Sequence, residues 1–422
     1  MEGSLLRNKG YITLMVAQLI SSIGDWLSIV AIITMVGLKW NASPIEVSLI
    51  ILCLAVPMAL FGPFAGTFAD RFNRKTLMVV SDLVRAGLVI MLIFATTIWM
   101  VYICLFGIGL FAALFIPAKN GKLKELVPDH QMKSAMSITS MIDSGTKVLG
   151  PLLSGLLVTA FGSTPVFVID SATFILSAIL LITLPASALA EPLESEKSKS
   201  SSFRKDFVEG VNFMKGNQFL LVGLSILTIS LLILQLSDSQ IIVLIRELTN
   251  ASPDLFGIIV TGSGLGMFFS GWILSKKTDY KPILLMLFGV FGMGVSFGLL
   301  AVFTGMDLAH SILWGPGLGL VAGFSAGIVF IPFQAAVQTD TPVHITGRVF
   351  GVINSATTTA TIIGPLLGGI LVTVFGVIPM FITTASLLVI MSLVGLLFRS
   401  KIERSENDVS KGEQGAQGAA SS

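Results

Sequence analysis

Charge is what this chain has least of. Asp, Glu, Lys and Arg make up 12% of its 422 residues, about half the share usual in a soluble protein. With 54% apolar residues and a mean hydropathy of +0.90, that deficit excludes an ordinary soluble enzyme. An excess of either sign is missing too. The 26 basic and 24 acidic residues leave only +2, which excludes a nucleic-acid partner. Cys53 and Cys104 sit in apolar runs and read as small core residues, while His130, His310 and His344 fall in or beside predicted loops. No ligand spacing for a metal results, and neither a metal nor a cofactor is expected. Strand-like alternation is also lacking in runs such as Ser48–Pro57, against a β-barrel.

Long apolar runs are abundant. Roughly twelve spans of about 20 residues fit the length, near 11–37, 43–65, 76–96, 99–118, 136–161, 165–185, 217–244, 255–275, 282–304, 308–334, 347–375 and 377–398. The first run is too long for a cleaved signal peptide and reads as a first span. With the N-terminus inside, 22 of the 26 Lys and Arg residues fall on the cytoplasmic side and only Lys39 and Arg246 outside. Arg85 and Lys147 lie within spans. The asymmetry predicts both termini cytoplasmic. The central segment begins with a Ser/Lys/Glu-rich linker, Ala186–Ser202. Phe203, Phe207, Val211 and Met214 then recur at helical spacing, predicting an amphipathic helix that either lies on the inner membrane face or docks on the protein itself.

The chain repeats itself. Asn41-Ala42-Ser43-Pro44 returns as Asn250-Ala251-Ser252-Pro253, and Phe115-Ile116-Pro117 as Phe330-Ile331-Pro332. Gly150 to Gly162 returns as Gly364 to Gly376, identical at ten of thirteen positions with an offset of 364 − 150 = 214. Two homologous halves follow. The expected fold is an all-α membrane protein, with a six-helix bundle over 1–185, a linker with an amphipathic helix over 186–216, a second bundle over 217–398 and a disordered cytoplasmic tail over 399–422. Ser-Pro before spans 2 and 8 predicts an N-cap with proline in the first turn. Gly150, Pro151 and Gly155, with their copies Gly364, Pro365 and Gly369, predict bends and close backbone approach.

Gly66-Thr-Phe-Ala-Asp70-Arg71-Phe-Asn-Arg74-Lys75, in the loop between spans 2 and 3, resembles the G-x-x-x-D-R-x-x-R-K signature of the major facilitator superfamily. Together with the six-plus-six repeat, the likeness covers nearly the whole chain. It implies alternating access about a midplane site, with Gly66, Asp70, Arg71, Arg74 and Lys75 forming an inner gate. Gly150-Pro151 and Gly155 look like the family's antiporter motif. Phrases around Gly24-Asp25-Trp26, Pro117-Ala118-Lys119 and Arg348-Val349-Phe350-Gly351 are similar to the macrolide-efflux and enterobactin-exporter branches, and somewhat to lysophospholipid transporters. One departure stands out: 101–118 contains no Arg, which the family's proton-coupled drug exporters often carry in helix 4.

Ionisable residues at membrane depth cost roughly 2.5–3.5 kcal/mol each on insertion scales, so those present are informative. Asp25, in span 1, reads as a proton-titrating or substrate-binding carboxylate. Asp143 and Lys147 are i,i+4 on span 5 and can pair; their copies are Thr357 and Thr361. Asp82 and Arg85 are i,i+3 on span 3 and read as structural, while Asp170 and Asp238 are secondary candidates at outer ends. Gln18, Gln235, Gln334 and Asn354 add hydrogen-bonding capacity. The resulting expectation is a monomeric exporter of drug-like or amphipathic small molecules in a bacterial plasma membrane, driven by the proton gradient, with the lipid bilayer and its substrate as partners. A siderophore or lysophospholipid cargo, or a non-transporting sensor, are the alternatives; no enzymatic constellation is visible.

Overall fold

A computed structural model describes residues 5–128, 131–185, 203–250, 252, 254–276, 280–342 and 345–397. The linker Ala186–Ser202, the tail 399–422 and the side chains of Asp70, Arg71 and Lys147 lie outside the described residues. Among them there is no strand, and the chain forms α1 (Lys9–Thr34), α2 (Pro44–Arg71), α3 (Arg74–Ile93), α4 (Ile98–Leu126), α5 (Met132–Phe161) and α6 (Ser163–Ile182). After α7 (Phe203–Gly216) follow α8 (Gln218–Asp238), the short α9 (Ile241–Ile245), α10 (Leu255–Ser275), α11 (Pro282–Gly305), α12 (Ser311–Asp340), α13 (Thr346–Phe375) and α14 (Val377–Leu397). Eleven of the described helical stretches are long and apolar enough to cross a membrane. The long helix outside that set is α5, whose apolar part is confined to Leu149–Phe161 because polar residues fill its first half.

Local chemistry sets the helix ends. Ser43 accepts from the Glu46 amide while the Glu46 carboxylate takes the Ser43 amide at 2.7 Å, a capping box with Pro44 in the first turn. The repeated copy departs from the expectation: α10 starts at Leu255, and Ser252 accepts from the Asp254 amide at 3.4 Å in the preceding turn. Gly162 and Gly376 end α5 and α13 at φ of 76° and 87°, left-handed conformations that glycine adopts without a Cβ clash. Their spacing is the repeat offset, so the turn chemistry is duplicated with the sequence.

We term the end carrying the start of α1 the base and the opposite end the rim. At the rim one apolar core runs through both halves, from Leu27, Val36 and Ile50 to Ile242, Phe256 and Val372. Toward the base the described residues form two separate cores, one around Leu14, Phe115 and Leu181 and the other around Met286, Phe333 and Val349. Met35–Lys39 extends α1 as a π turn at the rim, and the Gly37 carbonyl accepts from Arg246 Nη1 at 3.3 Å. At the base α7 docks on the protein. Met214 is buried with Phe207 and Val211 against the second core, and Glu209 pairs with Arg348 at 2.5 Å.

Candidate functional site

Four residues of α1, Gln18, Ser21, Asp25 and Ser28, recur at steps of three and four and so share one face of the helix. Each meets a polar partner on another helix. The stripe extends about 15 Å along the helix axis, and Asp25 sits about 24 Å from the start of α1, well inside the hydrocarbon depth.

At its centre is Arg85 of α3, 2% exposed. Its guanidinium pairs with Asp82 one turn away and with Asp25 Oδ1 at 3.3 Å, and donates to Ser21 Oγ at 3.3 Å. The ring faces of Phe115 (α4) and Phe174 (α6) enclose it at 5.0 and 4.4 Å, where a planar cation is attracted to the aromatic quadrupole. The second oxygen of Asp82 accepts from Ser177 Oγ at 2.6 Å. Above, Asp170 of α6 accepts from Ser28 and from Thr173. Gly24 lies directly against Asp170 and Thr173, where a Cβ has no room, so glycine is what lets α1 and α6 close on the network. Asp25 differs from its partners in keeping its side chain 42% exposed. Two carboxylates thus pair with one guanidinium while Asp170 is held by Ser28 and Thr173, so among the described residues the network is short of positive charge.

Asp82, Arg85, Asp25 and Asp170, three separate expectations from the sequence, are therefore one assembly. Asp170 bonds Ser28 of the same α1 stripe, and Arg85 holds Asp25 as well as its helical neighbour. Asp238, the copy of Asp25, ends α8 as an exposed residue and does not join it. At three other positions the second half carries hydroxyls in place of charges. Thr384, at offset 384 − 170 = 214 from Asp170, bonds Ser237 at 2.7 Å. Thr357 and Thr361, the copies of Asp143 and Lys147, bond carbonyls of their own helix at 2.9 Å.

Nearer the base, Asp143 of α5 accepts from Gln18 Nε2 at 2.6 Å. Lys119 and Lys122 were expected in a loop after residue 118; instead α4 continues to Leu126 and buries both. The signal for this was present: Phe115, Ala118, Lys122 and Leu123 keep helical spacing past the last apolar run. Lys122 Nζ bonds Glu125 at 2.8 Å and the Pro185 carbonyl at 2.9 Å.

In the loop motif between α2 and α3, Gly66, Asp70 and Arg71 close α2. Arg74 bonds Glu125 at 2.9 Å and the Gly121 carbonyl at 3.3 Å, and Lys75 bonds the Leu184 carbonyl at 2.6 Å beyond the end of α6. These cations tie α3, α4 and α6 together at the base and complement helix C-termini.

The two glycine motifs divide their work identically. Gly150 abuts Trp26 of α1 and Gly364 abuts Gln235 of α8, each within its own half. Gly155 meets Gly257 and Thr261 of α10, and Gly369 meets Pro44 and Ser48 of α2, each across the halves. Ser48 donates to the Pro365 carbonyl at 2.6 Å and accepts from Gln240 at 2.8 Å. These cross-half contacts lie toward the rim, on the side of the shared core.

Comparison with known proteins agrees with this architecture. Residues 14–359 match the model of the Major Facilitator Superfamily. The uncharacterized MFS-type transporter YfiS of Bacillus subtilis (strain 168) is 39% identical over 419 residues, covering 99% of this chain and 100% of that protein. Macrolide efflux protein A of Streptococcus pyogenes is 24% identical, over 91% of this chain and 94% of its own. Among solved structures, the nucleoside transporter NupG superposes with a TM-score of 0.67 at 12% identity, covering 92% of this chain and 98% of its own. A bacterial homolog of the human lysosomal transporter Spinster, inward-facing and unoccupied, gives 0.66 at 14% identity, over 95% and 98%. The chain belongs to the major facilitator superfamily and is a multi-pass membrane transporter of that family.

Proposed function

We propose that this transporter exports drug-like or amphipathic small molecules across a bacterial plasma membrane by alternating access, with proton antiport as the driving force. The observation that carries the reading is the network around Arg85. Two carboxylates pair with one cation at membrane depth, a third, Asp170, is bonded to Ser28 of the same α1 stripe, and Asp25 keeps an accessible face. A cluster short of positive charge accepts a proton or a cationic cargo, and the two compete for it. Competition of this kind couples proton movement to cargo movement in opposite directions. The similarity to a macrolide efflux protein supports export, and the base is assigned to the cytoplasm by the excess of Lys and Arg there.

The test is an accumulation and susceptibility panel in a host stripped of its own exporters, run with and without collapse of the proton gradient. Expression should lower accumulation of lipophilic dyes and macrolides, and collapse should abolish the effect. Asp25→Asn should reduce gradient-driven export by about tenfold or more, the scale of a 1–3 kcal/mol coupling. Export that persists after collapse rejects proton coupling, and an Asp25→Asn variant that exports at the full rate removes Asp25 from it.

A further inference from the structure

Reciprocal contacts between the halves locate the two-fold axis that relates them. Gly155 meets Gly257, and Gly369 meets Ser48. Gly369 is the copy of Gly155, at offset 369 − 155 = 214, and Gly257 is the copy of Ser48, at 257 − 48 = 209. Each crossing is therefore the image of the other. The second offset also holds along the first helix of each half. Ser28 and Ser237 bond the equivalent residues Asp170 and Thr384, Ile33 matches Ile242, and Asn41 matches Asn250. In space Asp238 then aligns with Ile29, one turn beyond the Asp25 to which its sequence phrase matches. On the same register Gly37 corresponds to Arg246, at 246 − 37 = 209. These two residues touch: Arg246 Nη1 donates to the Gly37 carbonyl at 3.3 Å. A residue bonded to its own copy lies on the axis, so the axis leaves the rim between Gly37 and Arg246.

An on-axis position sets a residue against its copy. Two arginines there would oppose like charges, and two glycines would leave a hole. Glycine opposite arginine avoids both. Local structure prepares the glycine side. The π turn Met35–Lys39 sends the Trp40 amide to Met35 and the Ala42 amide to Val36, so these amides bypass the Gly37 carbonyl and Arg246 takes it. Ile242 fills the place where a Cβ of Gly37 would stand, and its copy Ile33 is buried as well. Gln240 and Arg246 flank α9 at its two ends. Gln240 Nε2 donates to the Pro44 carbonyl at 3.1 Å and to Ser48 Oγ at 2.8 Å, whereas its copy is Ala31. Between these ends Ile242, Val243, Leu244 and Ile245 are buried in the shared rim core. Lys39 and Arg246, the two cations expected at the rim, both stand at this closure.

We infer that Arg246 is the bolt of the rim gate: it closes the axis by seating on the Gly37 carbonyl, and it leaves that seat each time the rim opens. The inference rests on alternating access and adds where the gate lies and which side chain seals it. The test is double electron–electron resonance on the full chain in lipid nanodiscs. Spin labels are attached to Thr96→Cys and Met306→Cys, exposed rim positions of the two halves, after replacement of Cys53 and Cys104. Opening of the rim separates the labels. Arg246→Gly sets two glycines on the axis and Gly37→Arg sets two arginines there; each should raise the long-distance population by about tenfold. Arg246→Lys should fall between the parent and Arg246→Gly. The exchanged pair, Gly37→Arg with Arg246→Gly, should restore the short distance, because the axis makes the two seats equivalent and Ile33 takes the part of Ile242. An arginine with a merely structural role gives no such rescue. Arg246→Gly with the parental distances overturns the bolt. So does an exchanged pair no more closed, or no more folded, than the worse single variant. The distances need no cargo, and dye efflux by the same proteins reports separately. Efflux with distances unmoved by the single variants rejects the bolt alone, whereas the expected distances without efflux reject the exporter reading alone.

Discussion

Arg85 fixes the electrostatics of the first half, because it is the cation on which Asp82 and Asp25 both depend. Removing one member of a buried ion pair costs about 3–5 kcal/mol, since the partner charge stays behind in an apolar interior. Arg85→Ala should therefore lower the melting temperature of the detergent-solubilised protein sharply. Arg85→Lys should fall between, keeping the charge but losing the planar fork that reaches Asp82, Asp25 and Ser21 together. A melting temperature unchanged in Arg85→Ala would show that the acids are held by other means. The Asp82–Arg85 pair was legible in the sequence because three residues on a helix make neighbours. Its link to Asp25 and Asp170 was not, since that depends on which faces of α1, α3 and α6 meet. Lys119 was missed for a related reason: a lysine just past an apolar run reads as the start of a loop unless the helix is seen to continue.

At the scale of helices, the paired glycines of α5 and α13 define how the halves touch. Gly155 against Gly257 and Gly369 against Ser48 are backbone-close crossings in which a side chain must push the helices apart. Overpacking of this kind costs about 1–3 kcal/mol, charged only to the state in which the rim is closed. Gly155→Leu and Gly369→Leu should each shift the population toward a rim-open state by about tenfold or more. Labelling of a cysteine introduced near Ser48 by a membrane-impermeant thiol reagent, after replacement of Cys53 and Cys104, reads this directly. Labelling no faster than in the parent would mean that the crossings do not hold the rim. The repeat pointed to these glycines through their duplicated motifs. It could not say that the first glycine of each motif serves its own half and the second the other, because that division is a property of the three-dimensional two-fold arrangement. The docked α7 was legible only as an amphipathic helix; the Glu209–Arg348 pair and the burial of Met214 are what assign its apolar face to the protein.

For the whole molecule, one core shared at the rim and two separate cores at the base describe a transporter closed at one end. On the proposed orientation, with the base in the cytoplasm, this is an inward-facing arrangement, and the proposed gating motif lies at the end where the halves would next come together. Asp70→Asn should then abolish transport while leaving the amount of protein in the membrane unchanged, measured by dye efflux alongside immunodetection; normal efflux would sink the gate role. The two halves are mechanically alike, with matching glycine crossings and matching glycine-capped helix ends, but electrically they are not. Where the first half holds Asp170 the second holds Thr384, and where the first holds Asp143 and Lys147 the second holds threonines bonded to their own backbone. On the proposed mechanism, a proton entering the molecule acts on one bundle only. Duplication supplied two identical levers, and divergence left the motor in one of them, with the other moving as its counterweight.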